Sequence, residues 1–380
     1  MRPAVAFGVA LLLVGLAIVS ILPAWSMRVL PLRLASSELS PVLALAAVVW
    51  LPVSSRLLAM RAAQERLATR LLVVVTVVAL WPLGGALIAA RRADVELDAL
   101  GIGPLLFGAT LAALPTEPTV RHTLVHYTAS DGSPLTMQLF DLDDGGSESR
   151  PIVIVIYGGA WRAGSPQQGA RISDALARRG YLVAAIDYRH APRFQFPTEL
   201  EDVRRSIALV CDSAAAWRGD SLRIALLGRS AGGHLAELAA FVPGASRVRG
   251  VVALYAPWNL AEGYRDVPSP DPIGVRQVIR DFIGGTPEER PQQYRAASPA
   301  SYVRNGLPPV LLLYAGRDHL VKPEFNREAA RALRAADVGV AAIELPWSEH
   351  GFDVVPGGLG ERLTWAVTER FLGAVLGDGR

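Results

Sequence analysis

A single cysteine, Cys211, occurs in 380 residues, and a lone thiol excludes an internal disulfide framework. It falls in a helical pattern and is expected to be a small core residue. No H-E-x-x-H or comparable metal-ligand spacing is present, so a zinc-hydrolase reading has no motif to stand on; no metal and no cofactor are expected. Internal repeats are also missing. Charged residues make up only 19% of the chain, and the net charge of +3 is dispersed. Without a basic stripe interleaved with aromatics, a nucleic-acid partner is not expected.

What the chain has in excess is apolar sequence at its front. Hydrophobic residues reach 51% and mean hydropathy is +0.30. Residues 4–22 and 71–90 carry no charge, and 39–55 is a weaker run containing Pro41 and Pro52. About 20 apolar residues cross ~30 Å of hydrocarbon, so residues 1–115 are expected to form a membrane region of about three transmembrane helices. The first run is longer than the apolar core of a usual signal peptide, and more runs follow it. Residues 100–114, broken by Gly101, Gly103 and Pro104, are read as an interfacial or packing segment rather than a fourth span. Arg2, with Arg56, Arg61, Arg66 and Arg70, places the N-terminus and the loop before the third span in the cytoplasm. The opposite side holds Arg28, Arg33, Arg91 and Arg92. The expected localisation is a multi-pass cell-membrane protein with its second domain extracytoplasmic.

From about residue 121 the texture changes. Apolar runs at 120–127, 135–142, 152–156, 181–186, 222–227, 251–255, 310–314 and 340–345 read as strands. Helical patterns at 168–178, 198–217, 231–241, 323–335 and 360–375 lie between them. This alternation predicts an α/β domain over 116–380, with a mostly parallel sheet and helices on both faces. Residues 257–309 break the rhythm with Pro, Gly and charge around one helical patch, 275–283. A connection of that length often serves as a lid, and a cap insertion is expected there.

The run Leu222–Leu227 leads into Gly228-Arg229-Ser230-Ala231-Gly232-Gly233 and then a helix-forming stretch. A serine on a tight strand-to-helix turn needs small residues two before and two after it. Gly228 and Gly232 satisfy that demand, so Ser230 is the candidate nucleophile. A hydroxyl needs a base and an orienting acid, in the chain order Ser, Asp or Glu, His. Asp318 follows the strand at 310–314, and His350 follows the one at 340–345. Among competitors, His319 is expected to face solvent or cap the next helix, and His234 to pack or hydrogen-bond. His122, His126 and His190 precede the serine, and Glu349 is expected to point away from its neighbour His350. Oxyanion donors are expected from the Ala231 amide and from the loop Tyr157-Gly158-Gly159-Ala160-Trp161. Trp161, Trp258 and Phe282 are candidates for an apolar pocket or for core packing.

Tyr157–Trp161, Asp187-Tyr188-Arg189, Gly228–Gly233, Ser298-Pro299, Pro308-Pro309-Val310 and His350-Gly351-Phe352 together resemble the α/β-hydrolase esterases of the hormone-sensitive-lipase and feruloyl-esterase-like groups. The resemblance covers about 121–376. With its apolar front, the chain is also similar to membrane-associated bacterial carboxylesterases. In those families the loop reads H-G-G-G and its second and third glycines supply amides; carried over by position, these are Gly159 and Ala160. Tyr157 replaces the histidine that helps hold the loop, Ala160 replaces a glycine, and Arg229 stands where many relatives have Asp or Gly.

The reading is a membrane-anchored serine carboxylic ester hydrolase that forms an acyl-enzyme on Ser230 and acts on a small-molecule or lipid ester. The alternatives are an acyltransferase or amide or formamide hydrolase with the same triad, and a non-catalytic membrane-tethered binding protein. A chain starting near Thr116 is expected to be soluble and active if the front is only an anchor.

Overall fold

The computed structural model describes residues 3–57, 62–103, 113–146, 148–244 and 247–377. Most of residues 100–114, read above as an interfacial segment, lies outside them, as does Arg61.

Eight strands form one sheet: β1 (Val120–Thr128), β2 (Pro134–Leu142), β3 (Arg150–Ile156), β4 (Leu182–Ile186), β5 (Gly219–Arg229), β6 (Val248–Leu254), β7 (Val310–Ala315) and β8 (Val340–Leu345). Their order is β1-β2-β4-β3-β5-β6-β7-β8. The first hairpin is antiparallel, β2 pairs antiparallel with β4, and every later pairing is parallel. All seven residues of β3 are buried, as expected where crossover helices cover both faces of a parallel sheet. One face packs Ile152, Ile154, Ile156, Ile224, Leu226 and Leu238 into a core. The other packs Val153, Val155, Leu227, Leu311 and Phe371. A Val, Leu, Ile or Phe side chain so buried contributes roughly 1.5–3 kcal/mol each.

The sequence places these strands within a few residues, and the helices with them. After the four N-terminal helices named below come α5 (Ala170–Arg178), α6 (Thr198–Ser213) and α7 (Ala231–Phe241). The cap region folds into three short helices, α8 (Leu260–Arg265), α9 (Val275–Ile283) and α10 (Pro291–Ala296), where the sequence shows only α9. Helices α11 (Pro323–Ala335) and α12 (Leu359–Leu376) complete the domain. Cys211 lies in α6, partly buried against the core.

The front of the chain holds α1 (Pro3–Ile21), α2 (Leu30–Glu38), α3 (Ser40–Leu57) and α4 (Ala62–Asp98). Leu13, Ala17, Ala47 and Val75 join α1, α3 and α4 in one cluster. Among the described residues, Val73–Asp98 is a helix long and apolar enough to cross a membrane, and α2 with Ser40–Val49 forms a second candidate bent by 66°. Exposed large hydrophobic residues concentrate between 12 and 95; beyond that point only Leu124, Leu222 and Val354 are found among the described residues.

Packing does not divide the chain at 115/116. Ala89, Ala90, Ala93 and Leu97 of α4 are buried in the core on one face of the sheet, and a Cβ on Gly85 would stand 3.0 Å from the Trp347 ring. Glu96 accepts from the Ala342 amide at 3.1 Å and pairs with Arg334. Helix α2 is equally integrated. Its Arg33 pairs with Glu349, both almost fully buried. Its Glu38 accepts from Ser348 Oγ and, at 2.6 Å, from the Gly360 amide. The front packs against the sheet and its helices as well as forming an apolar bundle.

Candidate active site

Strand β5 ends at Arg229, and Ser230 turns the chain into α7 with φ 51° and ψ −120°. A non-glycine residue held there costs of order 1–3 kcal/mol, so the surroundings must enforce it. The Ser230 amide donates to the Leu254 carbonyl at 2.9 Å. A Cβ on Gly228 would strike the Gly232 carbonyl, and one on Gly232 the carbonyls of Ile156 and Tyr157. Only hydrogen fits at both positions. The turn presents Ser230 at the N-terminus of α7, where negative charge is favoured.

Ser230 Oγ lies 2.9 Å from His350 Nε2, and His350 Nδ1 lies 2.8 Å from Asp318 Oδ2. The other Asp318 oxygen accepts the Leu320 and Val321 amides at 2.7 and 2.8 Å. Asp318 and His350 are both buried. The structure therefore brings together three side chains from the C-terminal ends of β5, β7 and β8. Tyr255 covers the imidazole, its ring 4.4 Å from that of His350.

The loop after β3 sits against the serine: a Cβ on Gly158 would lie 3.1 Å from Ser230 Cβ. Ala160 adopts φ 55° and Trp161 φ 56°, so alanine carries a left-handed conformation where the resembling families have glycine. Among the described residues, neither the Gly159 nor the Ala160 amide donates to a protein acceptor. Gly159, Ala160 and Ala231 line the same cavity as Ser230 and His350. Tyr157 fixes the base of the loop: its hydroxyl donates to Asp187 Oδ1 at 2.6 Å, and its ring stacks on Tyr188 at 4.5 Å. Burial and the neighbouring Tyr188 and Asp187 hold the Tyr157 hydroxyl protonated far above the ordinary tyrosine range.

Arg229, odd in sequence, has its charge met by Asp353. Nε donates to Asp353 Oδ2 at 2.5 Å, while the Tyr255 hydroxyl donates to Oδ1 at 2.6 Å. Burial opposes the guanidinium's charge, but Asp353 and Tyr255 outweigh it and the pKa is raised. The pair ties the elbow to the loop after His350.

His319 does not face solvent. Its amide donates to Glu349 Oε1 at 2.6 Å, and Nδ1 lies 2.5 Å from Oε2. Burial, with Arg33 nearby, lowers its pKa. Glu349 also accepts the His350 amide at 3.1 Å, so one carboxylate joins the loops carrying Asp318 and His350. This joint, with Arg33 behind it, escapes a sequence reading; the only signal is a charged pair, Arg33 and Glu38, between two apolar runs. His234 is a buried hydrogen-bonding residue. It accepts from Trp161 Nε1 at 3.3 Å and meets the Ala297 carbonyl at 2.6 Å, and burial pushes its pKa down to about 4. His122 pairs with Asp174, and His190 contacts the Tyr157 hydroxyl.

A cavity of about 660 Å³ opens over Ser230, within the ~300–1,000 Å³ of ligand sites. Trp161 of the loop after β3 walls it together with Trp258, Leu260 and Ile279 of the cap. Phe282 stacks behind Trp161 at 4.3 Å and is fully buried. No cluster of His, Cys, Asp or Glu suited to a metal ion occurs among the described residues.

Sheet order, elbow and constellation together define a serine hydrolase of the α/β-hydrolase class. The chain belongs to the BD-FAE family, whose model matches residues 140–333. It is similar to esterase LipC of Mycobacterium tuberculosis, 32% identical over 288 residues covering 71% of this chain and 70% of that one. It is also similar to the probable carboxylic ester hydrolase LipM of the same organism, 32% identical over 250 residues, 62% of this chain and 56% of LipM. Among solved structures, a Pyrobaculum calidifontis esterase has a TM-score of 0.59 at 24% identity, covering 77% of this chain and 94% of its own. A butyrate-bound esterase of Thermogutta terrifontis has 0.58 at 25%, covering 70% and 97%.

Proposed function

We propose that the protein is a membrane-anchored carboxylic ester hydrolase working through an acyl-enzyme on Ser230. The observation that carries the reading is the hydrogen-bonded chain Ser230–His350–Asp318 at the floor of an apolar cavity. His350 Nε2 takes the hydroxyl proton as Ser230 Oγ bonds to the ester carbonyl carbon. Asp318 holds the imidazole in the right tautomer and offsets its positive charge. The amides of Gly159, Ala160 and Ala231 receive the oxyanion, each such donor being worth about 3–4 kcal/mol. Collapse breaks the bond to the alkoxy oxygen, which leaves as the alcohol with the proton from His350. Water then attacks the acyl carbon and gives its proton to His350; the second collapse breaks the bond to Oγ, which takes that proton back from His350 as the carboxylic acid leaves.

Anchoring is supported by the exposed apolar side chains of α1, α3 and residues 73–88 of α4. In this reading three spans place the catalytic domain outside the cytoplasm, with the Arg56–Arg70 stretch inside. Protease protection in oriented membrane vesicles checks the sidedness.

The test of function uses the full chain in detergent with a fluorophosphonate and p-nitrophenyl butyrate. Labelling at Ser230, and loss of turnover in a folded Ser230→Ala variant, are expected. A folded wild-type protein that neither labels nor turns over refutes the proposal and favours a tethered binding module. Ester formation with an added alcohol as the main product would favour acyl transfer.

A further inference from the structure

The cavity over Ser230 is not walled by the catalytic domain alone. Met27, Leu30 and Leu34, from the segment between the first two apolar runs, line it together with the cap and the nucleophile loop. Leu30 and Leu34 are one helical turn apart on α2, hence on one face. Both are buried, in a cluster with Ala24, Leu320 and Val355. The helix behind them is pinned by Arg33 on Glu349 and by Glu38 on Ser348 and the Gly360 amide. A wall held this firmly is a built part of the site rather than a length of linker lying across it. Outside the wall the surface stays apolar: Trp25, Met27, Leu32 and Val354 are all about half exposed.

We infer that α2 is the specificity wall of the active site, and that the substrate is an ester carrying a long apolar chain that lies along Leu30 and Leu34. This rests on the proposed esterase function and names its substrate class. A short acyl ester such as an acetate reaches Ser230 and the oxyanion loop without extending to α2. The distal carbons of a long-chain ester meet an apolar lining that α2 shares with the cap and with Leu320, Val321 and Phe325. Chain-length preference should therefore be set partly by residues some 200 positions before the nucleophile, in a segment that sequence reading assigns to the anchor.

The experiment compares kcat/KM for p-nitrophenyl dodecanoate and p-nitrophenyl acetate in the detergent-solubilised full chain. A single methylene in an apolar pocket is worth about 10-fold or more in kcat/KM, so filling the wall with Leu34→Trp should lower the dodecanoate-to-acetate ratio at least ~10-fold. Leu34→Ala, which opens the wall without overpacking it, should move the preferred chain toward a longer one in a series from butyrate to hexadecanoate. Leu32→Ala, on the exposed face of α2, should leave the ratio unchanged. An unchanged ratio and an unchanged optimum in both Leu34 variants would overturn the inference. Failure of the function itself would look different: the wild-type protein would hydrolyse neither ester.

Discussion

Replacing Arg33 by methionine strikes the joint between the N-terminal segment and the catalytic loops. The guanidinium is 1% exposed and the Glu349 carboxylate 0%. Deleting one partner of so deeply buried a pair leaves the Glu349 carboxylate with only His319 and two amides to meet its charge, at a cost of about 3–5 kcal/mol. A loss of about 1 kcal/mol lowers Tm by ~2–4 °C in a domain of this order of size, so Arg33→Met should melt roughly 10 °C below wild type. The effect on catalysis has its own signature. Glu349 accepts the amides of His319 and His350, so a shifted carboxylate moves both loops. The rate constant kcat should then fall at least ~10-fold, since about 1.4 kcal/mol corresponds to a tenfold change. KM for a short ester, bound near the nucleophile, should change much less. The double variant Arg33→Met/Glu349→Gln separates positioning from mere damage. Glutamine keeps the carbonyl acceptor for the two amides and removes the carboxylate charge. Arg33 Nε and Nη2 find no partner among the described residues, so the pair is imperfect, and an uncharged replacement should recover most of the Tm and much of kcat. Melting curves and steady-state kinetics on the four chains of the cycle supply the coupling energy. Tm and kcat of Arg33→Met indistinguishable from wild type would refute the reasoning, because α2 could not then be docked as described.

Asp318→Asn should cut turnover of p-nitrophenyl butyrate by about 10⁴-fold by presenting the wrong imidazole tautomer; a near-wild-type rate would mean another group orients His350. Ala160→Gly, unusually for such a change, should hold or raise Tm by roughly a degree or two, since it relieves a left-handed alanine whose strain is of order 1 kcal/mol. Buried His234 has a folded pKa of about 4 against 6.5 for the free group. Its contribution to stability is whole above about pH 6.5 and is lost as pH falls toward about 4, by roughly 3 kcal/mol in all. Denaturant titrations from about pH 7 down to about pH 4 should show this fall and its flattening in His234→Leu. A chain beginning at Thr116 should aggregate or retain under a tenth of the activity, since removal of α2 and α4 strips the cover from Leu320, Val355, Trp347 and β8; a soluble chain of full activity would contradict the packing.

The strands were legible because a doubly covered parallel strand is a run of β-branched and leucine residues, as 152–156 and 310–314 are. Ser230 was legible because its turn imposes glycine on both sides, a steric demand visible in a few letters. Residues Asp318 and His350 could be proposed from their places after strands, but their meeting with Ser230 depends on tertiary structure. Two kinds of feature stayed hidden. Helices α8 and α10 have six residues each, fewer than two turns, and no apolar period can show in so short a span. The front is ambiguous in sequence for a different reason. The uncharged residues 83–90 of α4, several of which pack on the sheet core, look the same whether they face lipid or a β-sheet, and hydropathy does not distinguish the two. The partners of Arg33 and Glu38 lie more than 300 residues away, where no local pattern can point to them.

Helix α4 runs 37 residues without a break, across Pro82, a length of about 55 Å. In the membrane-anchored reading some ~30 Å of that spans hydrocarbon; its C-terminal turns are fixed on one face of the sheet through Ala89, Ala93 and Leu97. An enzyme mounted on such a beam cannot swivel or drift away as one hung on a slack leash would. Its mouth would keep one height and one tilt relative to the lipid headgroups, turnover after turnover.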